Sequence, residues 1–278
     1  MIKKIVDDVS FELKEDFDFD FLSEYGKVFT VFDKQDSGHL CFGVQNKNKK
    51  LFLKMAGAAT LERNASIEEA IARLKSTVSI YEDLRYPNLI EMIDHKEIKG
   101  GYLTVFDWFD GECMGKQYDS FDKFIALPIE KKLNIYKEIL LFHLHVSKLG
   151  YIAIDFYDGC IMYNFTTQQT MICDVEFYSK KPVMNTMGRM WGSSRYMSPE
   201  EFQLGAQIDE RSNVFQMGAA AFQLFGGGVE RSFDNWQANA KLYSIALKAV
   251  SLEKGDRYQT MDEYFETWNN AIKGQISM

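Results

Sequence analysis

Gly192-Ser193-Ser194-Arg195-Tyr196-Met197-Ser198-Pro199-Glu200-Glu201 is the stretch on which the fold of this chain turns, and it takes its meaning from two acids upstream. Asp155 stands in Gly150-Tyr151-Ile152-Ala153-Ile154-Asp155-Phe156-Tyr157-Asp158-Gly159-Cys160. Asp174 ends Thr170-Met171-Ile172-Cys173-Asp174, just before Val175-Glu176-Phe177-Tyr178. Each acid follows a short apolar, partly β-branched run, which places both at strand ends or in the adjoining loops. A carboxylate in that position is partly desolvated and held in place. Phosphoryl transfer uses one such acid to receive a hydroxyl proton and another to hold a metal ion. Two acids capping a β-hairpin would give the same local pattern.

The quoted stretch resembles the end of the protein-kinase activation segment, which in that family reads Gly-Thr-x-x-Tyr-x-Ala-Pro-Glu. Asp209-Glu210-Arg211-Ser212-Asn213-Val214-Phe215-Gln216-Met217-Gly218 is similar to the start of the long central helix of the large lobe. Gly255-Asp256-Arg257-Tyr258 looks like the segment whose arginine pairs with the Glu of that Pro-Glu. The matches fall in family order and at family-like spacing. The resemblance implies an α+β, two-lobed protein-kinase-like fold. Its small lobe would be a five-stranded antiparallel sheet with one helix, and its larger lobe mainly helical. The corresponding division is an acidic N-terminal extension over 1–24, a nucleotide-binding small lobe over 25–109, and a large lobe over 110–278 that carries the catalytic loop and activation segment.

Composition sets the outer limits. A chain of 278 residues, 46% hydrophobic, is long enough for one large core or two lobes. A net charge of −8 argues against nucleic acid or an anionic membrane as a partner. Cys41, Cys113, Cys160 and Cys173 form no CxxC pair, and with 4 histidines in the chain no metal-site spacing appears. Reduced thiols and a cytoplasmic location are expected; neither a signal peptide nor an apolar span is visible.

The pattern over 27–54 is strand-like, with turns at Asp33–Gly38 and Gln45–Lys49 and with Leu40, Phe42 and Val44 alternating. Ser66 with Glu69 forms a capping box that opens a helix carrying Ile67, Ile71, Leu74, Val78 and Tyr81 at helical spacing. Arg85-Tyr86-Pro87-Asn88-Leu89 ends it. A strand runs from Tyr102 to Phe109, and Asp107-Trp108-Phe109-Asp110-Gly111 resembles the hinge between lobes. Helical patterns then cover 129–149, 199–204, 210–225, 235–252 and 260–273. The acidic, aromatic stretch over 1–24 reads either as an extra strand or as a packed arm.

The resemblance assigns roles position by position. Lys54, in Leu51-Phe52-Leu53-Lys54, matches the strand lysine that pairs with the ATP phosphates; the bland reading is a lysine on a strand's wet face. Asp155 matches the catalytic aspartate that accepts the substrate hydroxyl's proton, and Asp174 the metal-binding aspartate. Ser37 and Gly38 would offer backbone donors to phosphate from a glycine-poor turn in which Asp36 repels it. Phe106 would back the adenine pocket, with Asp107 and Phe109 supplying hinge backbone. Ser193 would favour Ser or Thr acceptors, and Asn213 would brace the catalytic loop through its amide.

The departures are equally specific. Ala153 and Ile154 replace a histidine and an arginine, Tyr157 replaces a lysine, and Thr77 falls where the helix glutamate belongs. Cys160 stands where the family has a metal-binding asparagine, and a thiol is a poor partner for a hard cation. Glu176 and Asp158 are the candidate replacement ligands. The sequence therefore supports a divergent Ser/Thr-type protein kinase using ATP and Mg²⁺ or Mn²⁺ on a protein hydroxyl. A pseudokinase serving as an ATP-binding or scaffold module is the alternative, and a small-molecule kinase the less favoured one.

Overall fold

The computed structural model describes residues 1–35, 37–62 and 66–276, so Asp36 lies outside it. Among these residues the chain is a mixed α+β protein with several small antiparallel sheets and six α-helices. It divides into two units: Met1–Arg85 with Ile90–Asp110, and Tyr86–Leu89 with the chain from Gly111 onward.

The first unit opens with a hairpin, β1 (Ile2–Val6) and β2 (Val9–Leu13). Its two-residue loop is Asp7-Asp8, with φ of 49° and 75°, the left-handed pair that a tight hairpin demands and that Asp tolerates better than most residues. Then come β3 (Lys27–Phe32), β4 (Leu40–Asn46), β5 (Lys49–Ala56), α1 (Ile67–Asp83), β6 (Met92–Ile98) and β7 (Gly101–Asp107). Strands β3 to β7 form one antiparallel sheet in the order β3-β4-β5-β7-β6. Its alternation sorts side chains by face. Phe42, Leu53, Met55 and Val105 pack with Phe11, Leu13, Phe19 and Leu22 of the N-terminal segment. The stretch over 1–24 is thus both hairpin and packed arm; Phe11 and Phe19 set their rings 5.6 and 5.7 Å from Phe42.

The opposite face carries Ala56 and Tyr102, packed against Ala70 and Leu74 of α1. Lys54 lies two residues before Ala56 and shares that face. Helix α1 starts as expected: Ser66 Oγ accepts from Glu69 N at 3.1 Å, and Glu69 Oε2 accepts from Ser66 N at 3.1 Å. Thr77 is buried, its hydroxyl donating to Leu74 O at 2.8 Å, while Glu68 and Glu82 are exposed. The helix turns a threonine, and no glutamate, toward the sheet at that position.

The second unit contains β8 (Glu112–Cys113), α2 (Ser120–Ile125), α3 (Ile129–Lys148), β9 (Tyr151–Ile152), β10 (Ile161–Asn164) and β11 (Gln169–Ile172). Then follow β12 (Ser179–Lys180), β13 (Val183–Met184), β14 (Gln207–Ile208), α4 (Glu210–Phe225), α5 (Ala240–Ala249) and α6 (Met261–Ile276). Helix α4 is buried on nearly all sides; Asp209 caps its start and Gly226, at φ 98°, its end. Helix α5 begins at 240 and not at 235, because Asn239 caps it, its Oδ1 accepting from Leu242 N at 2.8 Å. Tyr136 of α3 donates to Met217 O of α4 and meets the Tyr264 hydroxyl of α6, each at 2.7 Å. No helix among the described residues is long and apolar enough to cross a membrane.

Arg257 and Glu200 form the buried pair expected from the sequence, with N–O distances of 2.7 and 2.9 Å. Removing one partner leaves a buried charge uncompensated. Arg257→Ala should lower the unfolding free energy by about 3–5 kcal/mol, read by urea denaturation. A loss within the range of exposed ion pairs, below about 1 kcal/mol, would mean the pair is solvated in solution.

Candidate functional site

The site in the second unit is built from two loops that each bend at an aspartate. Asp155, three residues beyond β9, has φ of 63°, and Asp174, two residues beyond β11, has φ of 58°. Left-handed backbone at a non-glycine residue is held only where its surroundings fix it, and here they do. Asn213 of α4 is fully buried; its Oδ1 accepts from Ala153 N at 2.9 Å, and its Nδ2 donates to Tyr151 O at 3.1 Å and Ser147 Oγ at 2.9 Å. The amide thus braces the loop just before Asp155, as the sequence reading expected.

Cys160 joins the two loops. Its Sγ lies 3.6 Å from Asp155 O and 3.8 Å from Asp174 O, and its own carbonyl accepts from Cys173 N at 2.9 Å. The thiol is buried, and burial together with the Asp174 charge pushes it well above its ordinary value. It is a neutral weak donor to two backbone carbonyls, with no character of a metal ligand.

From below, His143 of α3 sets its ring 4.3 Å from that of Phe156. Its Nδ1 faces Ile139 O at 2.8 Å and so carries the proton, which leaves Nε2 to accept from the Tyr178 hydroxyl at 2.9 Å. Burial lowers its pKa to about 4, so the ring is neutral. It packs against the residue that follows Asp155 and fixes the loop after Asp174 through Tyr178. The sequence reading missed this residue; its only signal was a lone histidine on the buried face of α3.

The segment from Val183 to Ile208 is tied down at several points. Asn185, fully buried, donates through Nδ2 to Gly188 O at 2.7 Å and to Glu201 O at 3.0 Å. Met190 N donates to Glu201 O at 2.9 Å. Met190 and Met197 pack with Ile152 and Ile154, the residues leading into Asp155. Gly192 has φ of 137°, and a Cβ there would stand 3.6 Å from Asp155 Cα, so the segment passes directly beside the aspartate.

These constraints decide the electrostatics. Burial raises the Asp155 carboxyl to about 7, helped by the negative charges of Asp174, Glu201 and Glu176 and opposed by Arg189. Asp155, Asp174 and Glu176 are therefore brought together, with Asp174 exposed and Glu176 buried. Glu201 is likewise pushed up to about 7, first by burial. It was not among the expected site residues, although Ser198-x-x-Glu201 is a legible capping box: Glu201 Oε2 accepts from Ser198 N and Oγ at 2.6 and 2.8 Å.

Asp158, a candidate metal ligand by sequence, is paired with Arg195. Both its oxygens are taken by Arg195, at 2.6 and 2.8 Å, and the carboxylate is buried. It ties the segment to the loop. Among the described residues no group of three His, Cys, Asp or Glu side chains is gathered as a metal centre.

The remaining candidates belong to the first unit. Lys54 is half-buried on β5. Phe106 is buried on β7, its ring 5.0 Å from Tyr81. Asp107 ends that strand and Phe109 follows it, half-buried. Gly38, with φ of 74°, spends its N–H on Gln35 O at 2.9 Å, and Ser37 Oγ accepts from His39 N at 3.4 Å. The Gly38 N–H expected for phosphate is thus already used by the Gln35 carbonyl.

A carboxyl titrating near 7 in the folded chain and near 3.8 when unfolded binds its proton preferentially in the folded state, so stability falls as pH rises from about 4 to about 7. His143 works in the opposite direction over much of that window, because its folded value lies below its unfolded one. The difference between wild type and Asp155→Asn isolates the carboxyl. The variant's advantage in melting temperature should grow between pH 5 and pH 8; a constant difference would place Asp155 in open solvent.

No family model matches the chain. A stretch of 174 residues, 53% of the chain, is 22% identical to the dual specificity protein kinase zak2 of Dictyostelium discoideum, of which it spans 27%. The chain thus has a distant and partial kinase-like relationship.

Proposed function

We propose that the chain is a divergent Ser/Thr-type protein kinase of two-lobed architecture that transfers the γ-phosphoryl group of ATP to a protein hydroxyl. The observation that carries this reading is Asp155. Its loop is braced by Asn213, its backbone is left-handed, and its carboxyl is shifted to about 7 by burial and by the negative charges of three further acids. A general base is most effective when its pKa lies near the working pH, and this one can take a hydroxyl proton and return it to solvent. Ser193, in the same segment as Gly192, would meet the acceptor side.

The metal is tested by the charges at the site. Asp174 and Glu176 present hard oxygen donors, and their repulsion of Asp155 is the imbalance that a divalent cation relieves. Mg²⁺ or Mn²⁺ would be held by Asp174 and Glu176, and would supply neutralisation of the phosphate charge. Lys54 takes the ATP phosphates in this reading, and Phe106, Asp107 and Phe109 the adenine. Ser37 and Gly38 are left with a smaller part, since their turn is internally bonded.

A pseudokinase is the second reading, favoured by one observation. The asparagine position is filled by a thiol already engaged with two backbone carbonyls, and the nearest spare acid, Asp158, is held by Arg195. That leaves fewer metal ligands than two-metal transfer uses.

Transfer of labelled γ-phosphate with Mg²⁺ or Mn²⁺, to the chain itself and to a basic protein, separates the two. Asp155→Ala should lose about 10²–10⁴-fold in rate, and Asp174→Asn should lose rate and need a higher concentration of Mg²⁺ or Mn²⁺. Wild type with neither transfer nor an ATP-dependent rise in melting temperature would sink the enzyme reading. Label appearing on a small-molecule alcohol and on no protein would move the substrate class.

A further inference from the structure

Catalysis of phosphoryl transfer calls for a cation facing the transferred group, and the loop that carries Asp155 supplies none: Tyr157 stands where the lysine would be. We infer that Arg189 is this cation, relocated to the neighbouring segment, and that it binds the phosphoryl group as it passes to the acceptor. The inference rests on the kinase reading of the site and adds to it a residue and a role.

The placement follows from backbone contacts. Arg189 donates from one terminal nitrogen to Gly192 O at 2.9 Å and from the other to Met190 O at 3.2 Å. Gly192 is the residue whose missing Cβ would stand 3.6 Å from Asp155 Cα. The guanidinium is therefore tied to the carbonyl of the residue that passes beside Asp155, 5.8 Å from the centre of the Phe202 ring. Its positive charge lowers the Asp155 carboxyl, as the smallest of the influences acting on it. A guanidinium has five N–H donors. The two carbonyls use one on each terminal nitrogen, and the rest of the fork remains for phosphate oxygens. The side chain is exposed, as a ligand-binding group must be.

Neighbouring cations are accounted for elsewhere. Arg195 is held by both oxygens of Asp158, Lys181 donates to Glu210 Oε2 at 3.0 Å, and Lys180 lies 5.3 Å from the centre of the Tyr151 ring. Met190, the adjacent residue, is itself pinned twice: by its N–H to Glu201 O and by burial against Ile152 and Ile154. Holding Met190 holds Arg189.

Arg189→Gln and Arg189→Lys beside wild type and Asp155→Asn test the role by two readouts. Inorganic phosphate with Mg²⁺, followed by ³¹P line broadening, should bind wild type and Arg189→Lys and be lost in Arg189→Gln. In the transfer assay Arg189→Gln should lose about 10²–10³-fold in kcat with KM for ATP changed by less than about threefold, and Arg189→Lys should recover part of it. An active wild type whose Arg189→Gln variant keeps both kcat and phosphate binding overturns the inference and leaves the kinase reading standing. A defect confined to KM for the acceptor protein also overturns it, making Arg189 a docking residue. If wild type transfers no phosphate, the kinase reading fails, and the phosphate titration still decides whether Arg189 binds the anion. Equal melting temperatures of the two variants establish that both are folded.

Discussion

The buried fork between Arg257 and Glu200 is the constraint from which the site's geometry follows. Burying two charges costs several kcal/mol per ion unless every remaining donor and acceptor is met. Here the guanidinium meets them all. Its Nε donates to Ser251 O at 2.8 Å, and its terminal nitrogens reach Glu200, Arg211 O at 3.2 Å and Leu252 O at 3.0 Å. Glu200 also accepts from Ser212 Oγ at 2.6 Å. Burial would push its carboxyl up, but the Arg257 and Ser212 hydrogen bonds hold it below the usual value. With this pair fixed, the 3-10 turn from Pro199 to Phe202 is fixed, and its carbonyls become anchors for Asn185 and Met190. The segment then has one course past Asp155.

A second layer of the same logic works from the other side of Asp155. Asn213, His143 and Cys160 are three different side chains, from three different elements, each of which binds backbone or packs on a ring next to an acid. None of them touches solvent freely, and none carries charge. They hold left-handed aspartates whose strain is offset by hydrogen bonds made to their neighbours.

How much of this was legible in the sequence depends on the range of each interaction. Ser66 with Glu69 and Ser198 with Glu201 are three residues apart, and a capping box is a local signal that tertiary structure rarely overrides. Arg257 and Glu200 lie far apart, and only their resemblance to a known pairing joined them. The course of the first 24 residues stayed open, because an Asp-Asp hairpin loop lacks the glycine that would announce it, and alternating Phe and Asp suits either a strand or an arm. The pairing of Asp158 was hidden for a similar reason. An acid three residues past Asp155 has the spacing of a ligand, and nothing local shows that Arg195 will claim both its oxygens. His143 was invisible as a site residue, since its place beside Phe156 comes from the path of the chain and not from spacing.

The bridge made by Cys160 has a consequence for how opening of the site can be watched. Its sulfur sits between two main-chain oxygens with its proton held firmly, so alkylating reagents meet an unreactive, shielded thiol while the acid loops are together. The loops must part before the sulfur can be modified. The rate at which this one cysteine is labelled is thus a clock for local unfolding of the acid-bearing loops, measurable by mass spectrometry without any substrate in hand.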